Sequence, residues 1–534
     1  MSGKTYPLRR CIAFSIFLLL LTAPAITTAR TIYVDDDNPA DFNNIQAAIN
    51  DSNDGDVITV GEGTYRENIN FNGKNIVLTS TDPNDTLLVE NTIIQSNGTT
   101  SVVTFSGSEQ VDCELRGFTI TGGYNRKAGG GIKGNFTRAT ISHCIICGNR
   151  SHDSAGGIDR CDGLISNCTI MNNISDQVGG IAGCKATIRY CNISNNQART
   201  CGGLDGCSGP ISNCTISNNK GDGLSVCYGE ISNCVISGNT DTGLISCRGP
   251  IRNCVITGNN RVGVLGCKSI NSCVIVGNIG DEGGGLANCD FISNCIIAGN
   301  SAKQGGGIYC INYSTTITNC TITNNSANNG SGIYCLGSDV IIDNCIMTAN
   351  WIMEMVLIEG FTLNSQGYIQ YFPSTATVSY SDVAGGQQYI YVDVNSTLIW
   401  GDGNIDADPC FINPGYWDPN GTPWNEDDDF WVNGDYHLKS QAGRWDADEG
   451  RWTKDDVTSL CIDAGDPASP IGLEPFPNGG IINMGAYGGT EEASKSYFGE
   501  PVCETVVAGD INGDCKVNLL DFAFMAFHWL EKQE

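Results

Sequence analysis

The sequence predicts an all-β solenoid, a parallel β-helix with coils of about 22 residues. Three observations predict it: a ten-fold repeat, a period-two alternation inside each copy, and a second ladder of cysteines in step with the first. The repeat reads Ile-Ser-Asn-Cys-x-Ile-x-x-Asn, as in residues 211–219, and recurs ten times between Ile141 and Asn350. Its marker cysteines run from Cys144 to Cys345 at steps of 19 to 25 residues. Five residues after every one stands Asn, from Asn149 to Asn350, and two residues after it stands Ile, replaced once by Met347. A unit of this size cannot bury its own apolar face and must stack on its neighbours.

The unit reads as strand, not helix. Cys-x-Ile alternates, Ile, Val and Thr dominate, and Asn or Gly interrupts every few residues. The second ladder runs from Cys161 to Cys335, mostly behind Gly-rich starts such as Gly156-Gly157-Ile158. Each coil therefore holds at least two inward-facing strands, joined by an Asn turn and a Gly-rich turn. Asn tolerates left-handed backbone, and its amide can bond the Asn one coil away. At about 4.8 Å per strand, ten coils make a rod roughly 48 Å long.

The N-terminal segments Thr31-Ile-Tyr-Val-Asp35, Asn44-Ile-Gln-Ala-Ala-Ile49, Gly55-Asp-Val-Ile-Thr-Val60 and Gly63-Thr-Tyr-Arg-Glu67 follow in that order. With the repeats behind them, they resemble the opening of the right-handed parallel β-helices of the pectate-lyase-like superfamily. The resemblance covers about residues 30–490 and implies a right-handed helix. Phe42, Ile45, Ala48 and Ile49 share one helical face, so a short capping helix is expected over the open end.

The expected organisation is a secretory signal at 1–29, the β-helix at 30–350, irregular coils and a closing segment at 351–490, a linker at 491–505 and a tail module at 506–534. Lys4, Arg9 and Arg10 precede an apolar run from Cys11 to Leu21, and small residues follow at 27–29. That run is short for a membrane span, so a secreted or cell-surface protein is expected, with no span in the mature chain. Twenty-nine Lys and Arg stand against 58 Asp and Glu, a net charge of −29. This argues against nucleic acid or an anionic membrane as partner. The 27 cysteines would be exported to a compartment that permits disulfides, and stacked positions lie within disulfide reach. A cysteine in every coil is equally the pattern of a ladder of small buried side chains, the reading favoured here. Cys144 and Cys147 form a lone C-x-x-C, which is no zinc site.

In β-helix enzymes of the resembled superfamily, function sits on outward residues. In the central coils these are bland: Thr169, Thr215, Val235, Val255, Val274 and Thr321. The candidate catalytic cluster is His152 and Asp153, with Asp159 and Arg160 in the same coil. A base, a carboxylate and an arginine together could neutralise a uronate and take its α-proton. His143, in a slot where Asn is usual, reads as structural. Asn239-Thr-Asp241 matches one short polygalacturonase motif, but Asn239 is already the repeat Asn and the partner aspartates are missing. Arg189, Arg199, Arg252 and Arg261 form no stripe along the repeats. The sequence by itself favours a non-catalytic scaffold that contacts a polysaccharide or cell-surface component. The alternative is a polysaccharide lyase or glycoside hydrolase with degenerate motifs.

Residues 509–530 resemble one half of a type I dockerin. Asp510, Asn512, Asp514, Asn518 and Asp521 take loop positions 1, 3, 5, 9 and 12, and Lys516 offers its carbonyl at position 7. The resemblance implies a bound calcium, whose flexible oxygen shell suits these ligands. Apolar residues from Leu519 to Leu530 at helical spacing would form the exit helix. Dockerins carry two such repeats, this chain shows one, and position 6, usually Gly, is Cys515. The expectation is a calcium-stabilised docking tail, with a cohesin-like or other anchoring partner.

Overall fold

A computed structural model describes residues 29–363, 369–422, 429–497, 517 and 519–528. Among them, three parallel sheets wind into one β-helix. Sheet A has 16 strands, from Thr31–Val34 to Thr397–Trp400. Sheet B has 14, from Gly63–Tyr65 to Asp382–Val383, and sheet C has 14, from Ile69–Asn70 to Ile390–Val392. In the repeats the chain runs C, A, B and then climbs to the next C. The register is strict: Ile188, Ile211, Ile231 and Ile251 stack in sheet A, and Ile193, Ile216, Ile236 and Ile256 in sheet B.

The repeat letters map directly onto this geometry. Ile-Ser is the strand of sheet A. The residue before the marker cysteine makes the A-to-B turn and is left-handed in all ten coils: seven asparagines, His143, Tyr190 and Ser272. Only a short local side chain makes that backbone cheap, which explains the preference for Asn. The marker cysteine and the Ile two residues on point inward, and so does the second cysteine, at the C-to-A turn. Both cysteine ladders lie in one continuous core with the stacked Ile, Leu and Val.

Twenty-four cysteines are described, all as free thiols, and only Cys147 and Cys410 are not fully buried. Each marker thiol makes a weak bond to the carbonyl two residues back, as from Cys214 Sγ to Ser212 O at 3.3 Å. Burial pushes the thiol of Cys289, in the second ladder, up to about 12. Both ladders thus act as small apolar side chains with a weak donor.

The repeat asparagines form a buried ladder of their own. Asn219 donates its backbone N–H and its Nδ2–H to Asn239 Oδ1, at 3.1 and 3.0 Å, and Nδ2 also donates to Ile193 O at 2.9 Å. The same three bonds recur coil after coil, so every amide is satisfied in the core. Beside this ladder the coils touch backbone to backbone. A Cβ on Gly243 would sit 2.6 Å from Gly263 O, which excludes any side chain there.

At the N-terminal end the helix Ile45–Asp51 buries Ile45, Ala48 and Ile49, with Asn44 as N-cap. Glu67 accepts from Ile45 N and Gln46 N at 2.7 and 2.9 Å. Beyond Asn350 the markers stop but the coils continue: Met355–Ile358 extends sheet C and Thr375–Ser379 extends sheet A. Between them the antiparallel hairpin Gly360–Leu363 with Ile369–Phe372 projects at the C-to-A corner.

The described residues of 411–497 form a strap with short hairpins that runs back along the outer face of sheet B. Tyr436 and Ala486 pack on Val276, Ile296 and Ala298, while Leu438, Ile462 and Met484 pack on Ile346. The turn asparagines hold it by their side chains: Asn294 and Asn319 donate to Gly488 O at 2.8 and 3.0 Å. Gly299 is bare because Trp431 lies there; a Cβ would stand 2.1 Å from the indole. The sequence carries the trace of this cover. Outward residues of sheet B pass from Val235 and Val255, over a third exposed, to Ile296 and Ile346, which are buried.

Candidate functional site

A groove of about 580 Å³ opens at the B-to-C corner of the early repeats. Its walls are the corner loops of three successive coils. Tyr124–Asn125 pairs in parallel with Arg150–Ser151, and Arg150 bridges on to Ile174. These short extra pairings hold the loops in register, so residues one coil apart meet in the groove. Tyr124, Arg150, His152, Ser175 and Asp176 line it.

His152 is the centre of the charge arrangement. Its Nδ1 meets Asp153 Oδ1, and its Nε2 lies 3.2 Å from Asp176 Oδ2. The three side chains are about half exposed. Backbone bonds fix the loop, from His152 N to Asn125 O at 3.3 Å and from Asp153 N to Arg126 O at 2.9 Å. The second bond brings the exposed Arg126 and Lys127 to the rim. An imidazole between two carboxylates is held in one orientation, and a ring nitrogen that its carboxylate releases can take or give a proton.

The sequence-predicted cluster divides. His152 and Asp153 are in the groove. Asp159 lies beneath the loop, nearly buried, accepting from Ser154 Oγ at 2.5 Å, and burial raises its carboxyl above the usual range. Arg160 pairs with Asp159 at 3.2 Å through Nε, and its guanidinium lies over the Phe136 ring at the C-to-A corner. Asp159 and Arg160 are not among the residues lining the groove, whereas Asp176, Tyr124 and Arg150 are. A signal for Asp176 was present: it follows His152 by the same 24 residues that separate Cys144 from Cys168.

The model of the right-handed β-helix region matches residues 130–279 and 283–405, just over half of the chain. The chain belongs to the right-handed β-helix family. No curated protein sequence matches this β-helix. Among solved structures it is similar to the A-module of a mannuronan C-5 epimerase from Azotobacter vinelandii, at 12% identity and a TM-score of 0.31, covering 68% of this chain and 95% of that one. It is also similar to a pectate lyase, at 13% and 0.23, covering 86% and 97%. A third is an alginate lyase from Paenibacillus sp., at 12% and 0.18, covering 70% and 98%. At such identities and scores no activity carries over from these proteins.

Elsewhere on the β-helix the remaining sequence candidates fall into place. His143 is a left-handed turn residue. Asn239 is a rung of the buried ladder, and Asp241 pairs with Arg261 at 3.3 Å. Arg189 and Arg252 share one outward column of sheet A but stand three coils apart with Ser212 and Ser232 between them, so no continuous stripe forms. Of the calcium set, Asp510, Asn512, Asp514, Lys516 and Asn518 lie outside the described residues. Asp521 is described, buried in the first turn of the helix Leu519–His528. Among the described residues no group of three or more His, Cys, Asp or Glu could hold a metal.

Proposed function

We propose that the protein is a secreted polysaccharide-modifying enzyme that acts on uronate-bearing chains in the groove at His152. The observation that carries this is His152 held between Asp153 and Asp176 in an open groove that Tyr124 and Arg150 also line. Arg150 would pair with the sugar carboxylate, as a guanidinium does with any carboxylate. His152 would take the proton α to it. In an elimination the released electron pair forms the C4–C5 double bond, the C4–oxygen bond breaks, and the Tyr124 hydroxyl supplies the proton to the leaving oxygen. Asp153 orients the imidazole through Nδ1, and Asp176 gives up Nε2 as the sugar enters, which leaves that nitrogen free to take the proton.

The experiment is a screen of uronate polysaccharides, read by the absorbance of unsaturated products and by reducing ends. Turnover that is lost in His152→Ala and in Tyr124→Phe supports the reading. Turnover that survives both overturns the site. Binding without turnover on every glycan would instead favour the scaffold reading, which the bland outward residues Thr215, Val235 and Val255 support.

We further infer a calcium-binding docking tail at 506–534. The support is the spacing of Asp510, Asn512, Asp514, Asn518 and Asp521 and the helix that starts at Leu519. Lys516 would add its carbonyl. Calcium titration of the full chain and of Asp510→Ala, read by calorimetry, tests it; equal heats from both would refute the assignment. In the same picture the helix Ile45–Asp51 caps the N-terminal end of the rod, and the apolar run after Arg10 directs export.

A further inference from the structure

The C-to-A corner carries chemistry that the groove does not use. We propose that it is a binding track for an anionic polysaccharide with one carboxylate per sugar. The residues just after the second-ladder cysteines stack there one per coil: Lys185, Ser208, Tyr228, Arg248 and Lys268. Backbone bonds hold the stack, from Ser208 N to Cys184 O at 2.9 Å, and from Tyr228 N to Cys207 O and Arg248 N to Cys227 O at 2.8 Å. With Phe136 and Arg160 from the two preceding coils, the line spans six steps, about 29 Å.

Two exposed rings hold three of the four cations of this line. Arg160 and Lys185 both lie 5.9 Å from the Phe136 ring centre, and Arg248 lies 5.6 Å from that of Tyr228. Phe136 is 52% and Tyr228 48% exposed, so these are large apolar surfaces left open to solvent. A cation resting on a ring face is partly immobilised before a ligand arrives, which lowers the ordering cost of binding. Arg160 and Lys185 each have one carboxylate neighbour, Asp159 at 3.2 Å and Asp162 at 3.7 Å. Arg248 and Lys268, one coil apart, have none within ion-pair distance among the described residues, in a protein of net charge −29. The unpaired Arg248 on its ring, with the unpaired Lys268 one coil on, fits a ligand that supplies both carboxylates and apolar sugar faces.

The line is bounded by acidic residues in the same position, Asp162 before Lys185 and Asp290 after Lys268, and the projecting hairpin meets the corner two coils beyond Lys268. There Asn312, Tyr313, Asp339 and Phe372 help to line a second cavity, of about 280 Å³. Charge density separates this ligand from nucleic acid. A duplex carries a charge about every 1.7 Å and would be repelled by the rest of the rod. Widely spaced carboxylates match the cations without that cost.

This track does not depend on His152 being catalytic, and the test keeps the two apart. Binding of the full chain to polygalacturonate and to its methyl-esterified, uncharged form is measured by calorimetry at two salt concentrations. The expected result is binding to the charged chain alone, weakened by salt. Arg248→Gln with Lys268→Gln should weaken it by about tenfold or more, as should Tyr228→Ala. Arg252→Gln, on sheet A and paired with Glu230, should not. Made in a His152→Ala background, which removes turnover, the corner variants should lose affinity by the same factor. Equal affinity for the esterified chain, unchanged affinity in the corner variants, or tighter binding of single-stranded DNA than of polygalacturonate would each overturn the proposal.

Discussion

Asn350 ends the buried asparagine ladder on a carboxylate: its backbone N–H and its Nδ2–H donate to the two oxygens of Glu354, at 3.3 and 2.5 Å. Every earlier rung hands both donors to the next asparagine. The last coil has no further asparagine to offer, and Glu354, 2% exposed, takes the place.

The first prediction concerns pH. Burial pushes Glu354 up to about 7, despite the two donors. It pushes Glu474 to about 7 and Asp382 and Asp463 to about 6. Each folded pKa lies above the unfolded one, so the native state holds more protons. The stability they contribute is full below about pH 4 and is lost as pH rises through 6 and 7. Thermal melts from pH 5 to 8.5 should show a falling Tm, and Glu354→Gln should flatten that fall. A Tm that rises over this range would contradict it.

Cutting the ladder in mid-rod should be costly. Asn239→Ala removes the acceptor of two Asn219 donors and the donor to Ile216 O. Each buried group left unpaired costs about 1–3 kcal/mol, so a loss of roughly 2–5 kcal/mol is expected in urea denaturation. Asn218→Ala, at a neighbouring turn residue that is not a rung, should cost less. Equal losses would show that the ladder bonds add nothing.

The strap should come away without the rod. Tyr436, 1% exposed, packs on the Val276, Ile296 and Ala298 face. Tyr436→Ala should cost about 3–5 kcal/mol, by analogy with Phe and Trp truncations, and release residues 411–497 to limited proteolysis. Amide exchange in sheets A and C should stay slow. Simultaneous loss of the coils would mean that the strap is essential to the rod.

The thiol ladders should be silent in the native protein. Thiols enclosed in a packed core are out of reach of an aqueous reagent and inert. Peptide mapping after iodoacetamide should therefore find Cys147 and Cys410, the two partly exposed described thiols, labelled long before Cys214 or Cys227. Stability should not depend on reductant. A melting temperature that drops in dithiothreitol would point to cross-links instead.

Much of this architecture was legible in the residues. The period, both cysteine ladders, the asparagine ladder and the left-handed turn residues come from contacts that each position makes with its own copy one coil away. Such contacts are effectively one-dimensional, and a one-dimensional code shows in a string. His152 and Asp153 were also legible as a polar break in a bland repeat. Tertiary structure alone decided which charges meet. Asp176 reaches His152 from the next coil and Tyr124 lines the same groove from the one before, whereas Asp159 lies beneath the loop and Arg160 turns to Phe136. The corner loops set those directions, and no period governs them. The strap was equally hidden, because Gly488 meets Asn294 at a separation of 194 residues with no repeat to announce it. Only the change from polar to apolar residues on the outer face of sheet B shows that something covers it, since an exposed Ile gains nothing until another surface removes it from water.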